Sequence, residues 1–166
     1  MISVELRERA KIINQTLAAR GEMIVTAESC TGGLICGALT DVPGSSEAVY
    51  GGFVTYANGA KTEMIGVPAE LIEKYGAVSD PVVRAMAEGA LRTAGVDVAI
   101  AVTGIAGPGG GSEDKPVGLV LFGCATKSGT AVQQRNFGDL GRQGIREATV
   151  KVALDMVLEC LGVEAP

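Results

Sequence analysis

The chain has 166 residues, of which 47% are hydrophobic, and its 14 basic and 19 acidic residues give a net charge of −5. This length favours a single domain over residues 1–166, with a core built mainly from Ala, Val, Ile and Leu because aromatic residues are scarce. Histidine is absent, which excludes a Ser-His-Asp triad, a Cys-His pair and zinc sites with His ligands. A general base must therefore be Lys, Tyr, Asp, Glu, a thiolate or the N-terminal amine.

Charge and cysteine usage restrict the partners and the compartment. The acidic balance, without a basic run, disfavours binding to nucleic acid. The N-terminal segment MISVELRERAKII lacks the apolar core of a signal peptide, and no apolar run approaches the roughly 18 residues of a membrane span. The four cysteines form no CxxC pair, so we interpret them as small buried hydrophobes in a reducing compartment: Cys30, Cys36, Cys124 and Cys160. We expect a cytoplasmic protein without membrane contact.

Helices and strands alternate along most of the chain. Helices are predicted over 3–20, 34–39, 58–65, 68–75, 79–94 and 141–161. Strands are predicted over 23–27, 49–56, 96–102, 117–126 and 130–137. This alternation indicates a three-layer α/β/α domain with a mainly parallel sheet and one antiparallel pair, formed by the last two strands.

Three polar or glycine-rich segments follow predicted strands: Ala27–Gly33, Thr55–Lys61 and Thr103–Ser112. Ligands of open α/β sheets bind beyond the carboxyl ends of the strands, so we expect these segments to converge there.

Ser29 lies in the first segment, at a predicted strand-to-helix turn, where helix N–H groups would favour a nucleophilic oxygen and an oxyanion. Gly32 and Gly33 would let a substrate approach. Ser29 or Thr31 acting only as a helix cap is the structural alternative, and Cys30 is a competing nucleophile without an activating His.

Lys61 lies in the second segment, one helical turn beyond Asn58. If Asn58 caps the short helix, the amine sits in the first turn, where the helix dipole lowers its pKa and suits a general base. Ser29 and Lys61 would then form a Ser-Lys pair. A solvated surface lysine is the alternative.

Two further features are weaker. The Gly-rich loop 104–116 offers bare N–H groups for an anion but matches no named phosphate motif. Arg142 and Arg146 are spaced to share one face of the last helix and could hold a phosphate, or simply be solvated. The S-x-x-K match at Ser112–Lys115 lies in a loop before Pro116, and we interpret it as chance.

Four segments together, TAESCTGG, GGFVTYANGAK, GAVS and TGIAGPGGGSEDKPVG, resemble the CinA C-terminal domain family over almost the whole chain. Characterised members of that family are nicotinamide-nucleotide amidases. The resemblance implies a three-layer α/β/α fold with a mixed sheet of about five strands, similar to anticodon-binding-type domains, and often a dimer. It also implies hydrolysis of the carboxamide of nicotinamide mononucleotide, in pyridine-nucleotide salvage, without a metal or organic cofactor.

The resemblance also implies roles for particular residues. Ser29 matches the nucleophile, Lys61 the general base and Tyr56 a tyrosine that orients or relays the proton. Arg142 matches a phosphate-binding arginine, although the family's F-x-G-D-R pattern reads FGDLGR here, so the arginine is displaced. Residues expected to line the substrate pocket are Cys30, Thr31, Gly32, Gly33, Asn58, Thr103, Gly104, Ile105, Ala106 and Gly107.

Two alternatives stay open at this point. One is a non-catalytic nucleotide-binding module associated with competence or DNA damage, which need not keep Ser29, Tyr56 and Lys61 together. The other is an amidase for a different small amide, with the same chemistry and other phosphate contacts.

Overall fold

The computed structural model describes residues 2–166. Its helices are α1 (Val4–Arg20), α2 (Leu34–Thr40), α3 (Asn58–Ile65), α4 (Ala69–Tyr75), α5 (Asp80–Ala94) and α6 (Gly141–Leu161), and a 3-10 turn spans Ser45–Glu47. Its strands are β1 (Ile24–Glu28), β2 (Val49–Val54), β3 (Val98–Gly104), β4 (Leu119–Thr126) and β5 (Gly129–Asn136). All the predicted elements are present, with ends shifted by up to two residues.

The five strands form one mixed sheet in the order β2-β1-β3-β4-β5. β1 is parallel to both β2 and β3, whereas β4 is antiparallel to both β3 and β5. The mixed five-stranded sheet is confirmed. The prediction that only the last two strands pair antiparallel is wrong, because β4 is also antiparallel to β3. The segment from β3 to β4 contains no helix, and without a crossover connection two neighbouring strands run antiparallel.

Helices cover both faces of the sheet, which confirms the three-layer arrangement. Side chains alternate along β3, so Ile100 and Val102 join the core beneath α1, α2 and α6, while Ala99 and Ala101 join the core beneath α3, α4 and α5. β3 is the middle strand and is buried on both faces, as its apolar sequence predicts.

The helix ends follow local sequence signals. α1 begins after Ser3, whose hydroxyl accepts the Leu6 N–H, and ends at Gly21, which adopts a left-handed conformation with φ of 64°. α5 begins after Ser79, as predicted, but the Ser79 hydroxyl donates to the Gly76 carbonyl and does not cap the helix. Within residues 2–166, no helix combines the length and apolar character needed to span a membrane.

The cysteines only partly follow the sequence interpretation. Cys30 and Cys124 are buried, whereas Cys36 and Cys160 are half-buried, and all four are free thiols.

Candidate active site

The carboxyl ends of β1, β2 and β3 lie side by side at one edge of the sheet. Glu28, the last residue of β1, is in register with Val54 of β2 and with Val102 of β3. The segments that follow these strands therefore meet, as the sequence predicts for parallel strands.

Ser29 and Lys61 are in direct contact at this edge. The Lys61 Nζ lies 3.1 Å from the Ser29 Oγ and also donates to the Thr55 carbonyl oxygen at 2.9 Å. Lys61 is only 1% exposed and Ser29 only 8%. The surface-lysine alternative is therefore wrong, because the amine is enclosed and points at the serine hydroxyl.

The environment of Lys61 shifts its protonation equilibrium toward the neutral amine. Burial lowers the pKa of Lys61 from its usual 10.5. None of the ion pairs formed within residues 2–166 includes Lys61. The direction of the pKa shift agrees with the sequence prediction, but the cause is burial and not a position next to the helix cap. The cap of α3 is Ala57, not Asn58, which is itself the first helical residue and is exposed.

Glu28 is a site residue that sequence reasoning missed. Its carboxylate is fully buried. It accepts hydrogen bonds from the Thr31 hydroxyl at 2.7 Å and from the backbone N–H groups of Ile35 and Cys36 at 2.8 and 2.9 Å. The Thr26 hydroxyl donates to it as well, at 3.1 Å. The only signal in the sequence is an acidic residue at the end of an otherwise apolar strand.

The carboxylate of Glu28 changes the expected role of the helix N-terminus. α2 begins only at Leu34, and the N–H groups of its Ile35 and Cys36 are taken by Glu28. The prediction that Ser29 stands at a free helix N-terminus is therefore wrong. Ser29 lies instead in a turn, in which Gly32 and Gly33 have φ of 60° and 102°, a conformation that favours glycine.

The turn still holds potential oxyanion donors. The Ser29 N–H donates to Val102 and the Gly32 N–H to Ser29. Within residues 2–166, no hydrogen bond is formed by the N–H groups of Thr31 and Gly33. Burial raises the pKa of the Cys30 thiol to about 11, so at neutral pH this competing nucleophile is a protonated thiol.

Tyr56 contacts an arginine through its hydroxyl. Its phenol oxygen accepts a hydrogen bond from the Arg142 Nη2 at 3.1 Å, while its backbone carbonyl lies 3.4 Å from the Lys61 Nζ. The structure therefore places the Tyr56 backbone, and not its phenol, next to the Ser-Lys pair. The predicted proton relay through the phenol stays a prediction.

The Gly-rich loop after β3 reaches the same region. The Gly107 carbonyl accepts a hydrogen bond from the Arg142 Nη1 at 3.0 Å. Thr103 is buried and its hydroxyl donates to the Ala77 carbonyl, and the Ile105 N–H donates to Leu119. A Cβ on Gly104 would meet Val120, which explains this glycine by strand packing. Contact of residues 103–107 with a substrate stays a prediction.

The two predicted arginines occupy different positions on α6. Arg142 is exposed, whereas Arg146 is half-buried and donates to the Cys30 and Thr31 carbonyls at 3.2 and 3.0 Å. Both border a cavity of about 830 Å³ between α1 and α6. The S-x-x-K match at Ser112–Lys115 lies elsewhere, since the Lys115 amine donates to the Tyr75 carbonyl at the end of α4.

Comparison with known proteins assigns the chain to a family. Residues 6–161 match the CinA C-terminal domain. The chain belongs to the CinA C-terminal domain family. The crystal structure of the competence/damage inducible protein CihA from Agrobacterium tumefaciens is 48% identical, covers 98% of each chain and superposes with a TM-score of 0.94. A CinA superfamily protein from Escherichia coli is 31% identical, with a TM-score of 0.90 over 96% of this chain and 94% of that one.

The curated relatives fall into two lengths. The nicotinamide-nucleotide amidohydrolase PncC of Escherichia coli K12 is 47% identical over 93% of both chains. A CinA-like protein of Parasynechococcus marenigrum is 50% identical over 88% of this chain, but the match covers only 35% of that protein. The chain thus spans about a third of the longer relatives and nearly all of the shorter ones.

Proposed function

We propose that this chain hydrolyses the carboxamide of nicotinamide mononucleotide to nicotinate mononucleotide and ammonia. The observation that carries the proposal is the contact between the Ser29 Oγ and a buried Lys61 Nζ in a chain without histidine. The name of the E. coli relative, which matches this chain over nearly its full length, supplies the substrate.

In the proposed first step, Ser29 attacks the amide. The neutral Lys61 amine takes the proton of the Ser29 hydroxyl as the Oγ attacks the carboxamide carbon. The negative charge that develops on the amide oxygen is stabilised by free backbone N–H groups of the turn, of which that of Thr31 is nearest to Ser29 along the chain. Lys61 then gives its proton to the leaving nitrogen, so that ammonia departs and an ester on Ser29 remains.

In the proposed second step, water cleaves the ester. Lys61 takes a proton from the water, whose oxygen attacks the ester carbon, and returns it to the Ser29 Oγ as nicotinate mononucleotide leaves. The hydrogen bonds from Lys61 to the Thr55 and Tyr56 carbonyls keep the amine aimed at the reaction centre in both steps. We expect Arg142, which is exposed next to Tyr56, to bind the substrate phosphate.

Ammonia release from nicotinamide mononucleotide tests the function and the nucleophile together. We expect release by the wild type and its loss in Ser29→Ala, because no other group near Lys61 is an activated nucleophile. Ser128→Ala is the matched control, since this serine lies in the exposed turn between β4 and β5, at the opposite end of the sheet from Ser29, and should leave turnover unchanged.

Other results of this experiment would redirect the proposal. Turnover retained by Ser29→Ala would point to Cys30. Absence of release by the wild type would favour a different amide or the non-catalytic binding module, which a binding titration with the same nucleotide separates.

The proposed mechanism uses only side chains and backbone groups of the chain, because Lys61 supplies the base. We therefore expect EDTA treatment followed by gel filtration to leave the rate of ammonia release unchanged. A strong loss that added divalent metal restores would contradict this mechanism.

A further inference from the structure

Arg146 of α6 forms two hydrogen bonds with the turn that carries Ser29, residues 29–33. The guanidinium Nε donates to the Cys30 carbonyl at 3.2 Å, and its Nη2 donates to the Thr31 carbonyl at 3.0 Å. The same Nη2 lies 3.4 Å from the position that a Cβ on Gly32 would occupy. Two successive carbonyls of the turn therefore face one arginine, 115 and 116 residues away in the chain.

These two hydrogen bonds fix the direction of the backbone N–H groups of Thr31 and Gly32. The peptide unit is planar and trans, so the N–H of Thr31 is directed opposite to the Cys30 carbonyl. Since that carbonyl faces Arg146, the Thr31 N–H faces away from it, and it has no acceptor within residues 2–166. By the same geometry the Gly32 N–H is directed away from Arg146, and it donates to Ser29 within the turn.

A buried anion holds the turn at a second place. Glu28 accepts from the Thr31 hydroxyl and from the first N–H groups of α2. Thr31 is thus tied at its hydroxyl by a carboxylate and at its carbonyl by a guanidinium. Its peptide plane has little freedom left, which is the requirement for a preorganised donor.

We propose that Arg146 is a positioning residue that orients the Thr31 N–H as an oxyanion donor, and is not a ligand of the substrate phosphate. The assignment rests on the proposed amide hydrolysis. It gives the two arginines of α6 different roles. Arg142 is exposed and contacts a tyrosine side chain, whereas Arg146 is half-buried and donates its hydrogen bonds to the turn.

Steady-state kinetics of three variants and one control variant test the assignment. Arg146→Met should lower kcat by about 10²-fold, the usual effect of losing one oxyanion donor, with KM within about threefold of wild type. Arg146→Lys keeps the charge but cannot bind both carbonyls in one plane, so its kcat should lie between the two. Arg142→Met should chiefly raise KM. Arg84→Met, at an arginine of α5 that donates to the Thr130 carbonyl at the opposite end of the sheet, should change neither parameter.

Two further readouts do not depend on the substrate. A small sulfonyl fluoride modifies an activated serine: the Oγ–S bond forms, the S–F bond breaks, fluoride leaves and the serine proton passes through Lys61 to solvent. Arg146→Met should slow this labelling of Ser29. Amide hydrogen exchange of Gly32, Ile35 and Cys36 should become about tenfold faster or more in Arg146→Met, because the turn opens locally, and should stay unchanged in Arg84→Met.

These results separate failure of this inference from failure of the proposed function. A raised KM in Arg146→Met with unchanged kcat, labelling and exchange would make Arg146 a phosphate ligand and overturn the inference. Absence of both ammonia release and labelling in the wild type would overturn the proposed function and, with it, the oxyanion role. In that case, faster exchange confined to Arg146→Met would still show that Arg146 holds the turn in place. Unchanged exchange would show that it does not.

Discussion

At the scale of single residues, Lys61 is the least expected feature of this chain. A buried ammonium without a carboxylate partner is costly, and proteins normally lower that cost by releasing the proton. The Lys61 amine is enclosed, and its hydrogen-bond partners within residues 2–166 are hydroxyl and carbonyl oxygens. Burial therefore shifts the protonation equilibrium of Lys61 toward the neutral amine, the form that a general base requires.

The lowered pKa of Lys61 predicts how stability changes with pH. Between its folded pKa and the usual 10.5, the unfolded chain binds more protons than the folded one, so wild-type stability rises with pH. Lys61→Met has no such group. The free energy of unfolding of the wild type relative to this variant should therefore increase as the pH approaches 10.5, as measured by urea unfolding at several pH values.

The same variant reports on catalysis. Turnover by Lys61→Met should fall by about 10²-fold or more, because the general base is gone. A pH-independent stability difference would contradict the lowered pKa of Lys61, and an unchanged rate would remove the base role.

At the scale of elements, two glycines inside helices, Gly89 and Gly37, have different surroundings. Gly89 of α5 lies against the Ile65 carbonyl at the end of α3, the helix that carries Lys61, and a Cβ there would collide with that carbonyl. Gly37 of α2, in contrast, is exposed and has no atom within 4 Å of such a Cβ. A close contact between helices therefore requires glycine at position 89, whereas the described neighbours of Gly37 leave room for a larger side chain.

Alanine at these two positions should change stability in opposite directions. Gly37→Ala should stabilise the protein by about 0.5–1 kcal/mol, because alanine reduces the entropy of the unfolded chain. Gly89→Ala should destabilise it by about 1–3 kcal/mol and lower turnover, because α5 must move away from α3. Thermal unfolding checks both, and a stabilised Gly89→Ala would show that the contact with Ile65 yields freely.

Sequence reasoning located the elements well because their signals are local. Gly21 and Gly95 end α1 and α5 in the left-handed conformation, as glycine after a helix predicts. The sequence did not predict that β4 runs antiparallel to β3, because the composition of an irregular loop does not determine the direction of the strand that follows it. Asn58 was misjudged as a cap for a related reason: Ala57 takes the cap position without any side-chain hydrogen bond.

At the scale of the whole molecule, the assembly stays a prediction. The family resemblance implies a dimer, and β2 at one edge of the sheet carries the exposed apolar side chains of Tyr50 and Val54. Light scattering on the purified protein should give twice the chain mass of 16.9 kDa. A mass of one chain at micromolar concentration would contradict the dimer.

The sequence by itself determined the alternation of helices and strands, the absence of histidine chemistry and the three segments at the strand ends. These follow from the composition, from the spacing of hydrophobic residues and from the glycines at the ends of helices and strands. All of them can be seen in the sequence without knowledge of distant contacts. Ser29 and Lys61 were found because each lies in a segment that follows a strand whose direction the parallel pattern predicts.

Only the tertiary structure decided what surrounds those residues. Lys61 is buried by contacts with other elements, Glu28 of β1 accepts hydrogen bonds from the first N–H groups of α2, and Arg146 of α6 donates to the Cys30 and Thr31 carbonyls. Local sequence carries no record of which distant carbonyl or amide will face a charged side chain. The packing of α3 and α6 against the strand ends sets the pKa of Lys61 and the path of the turn.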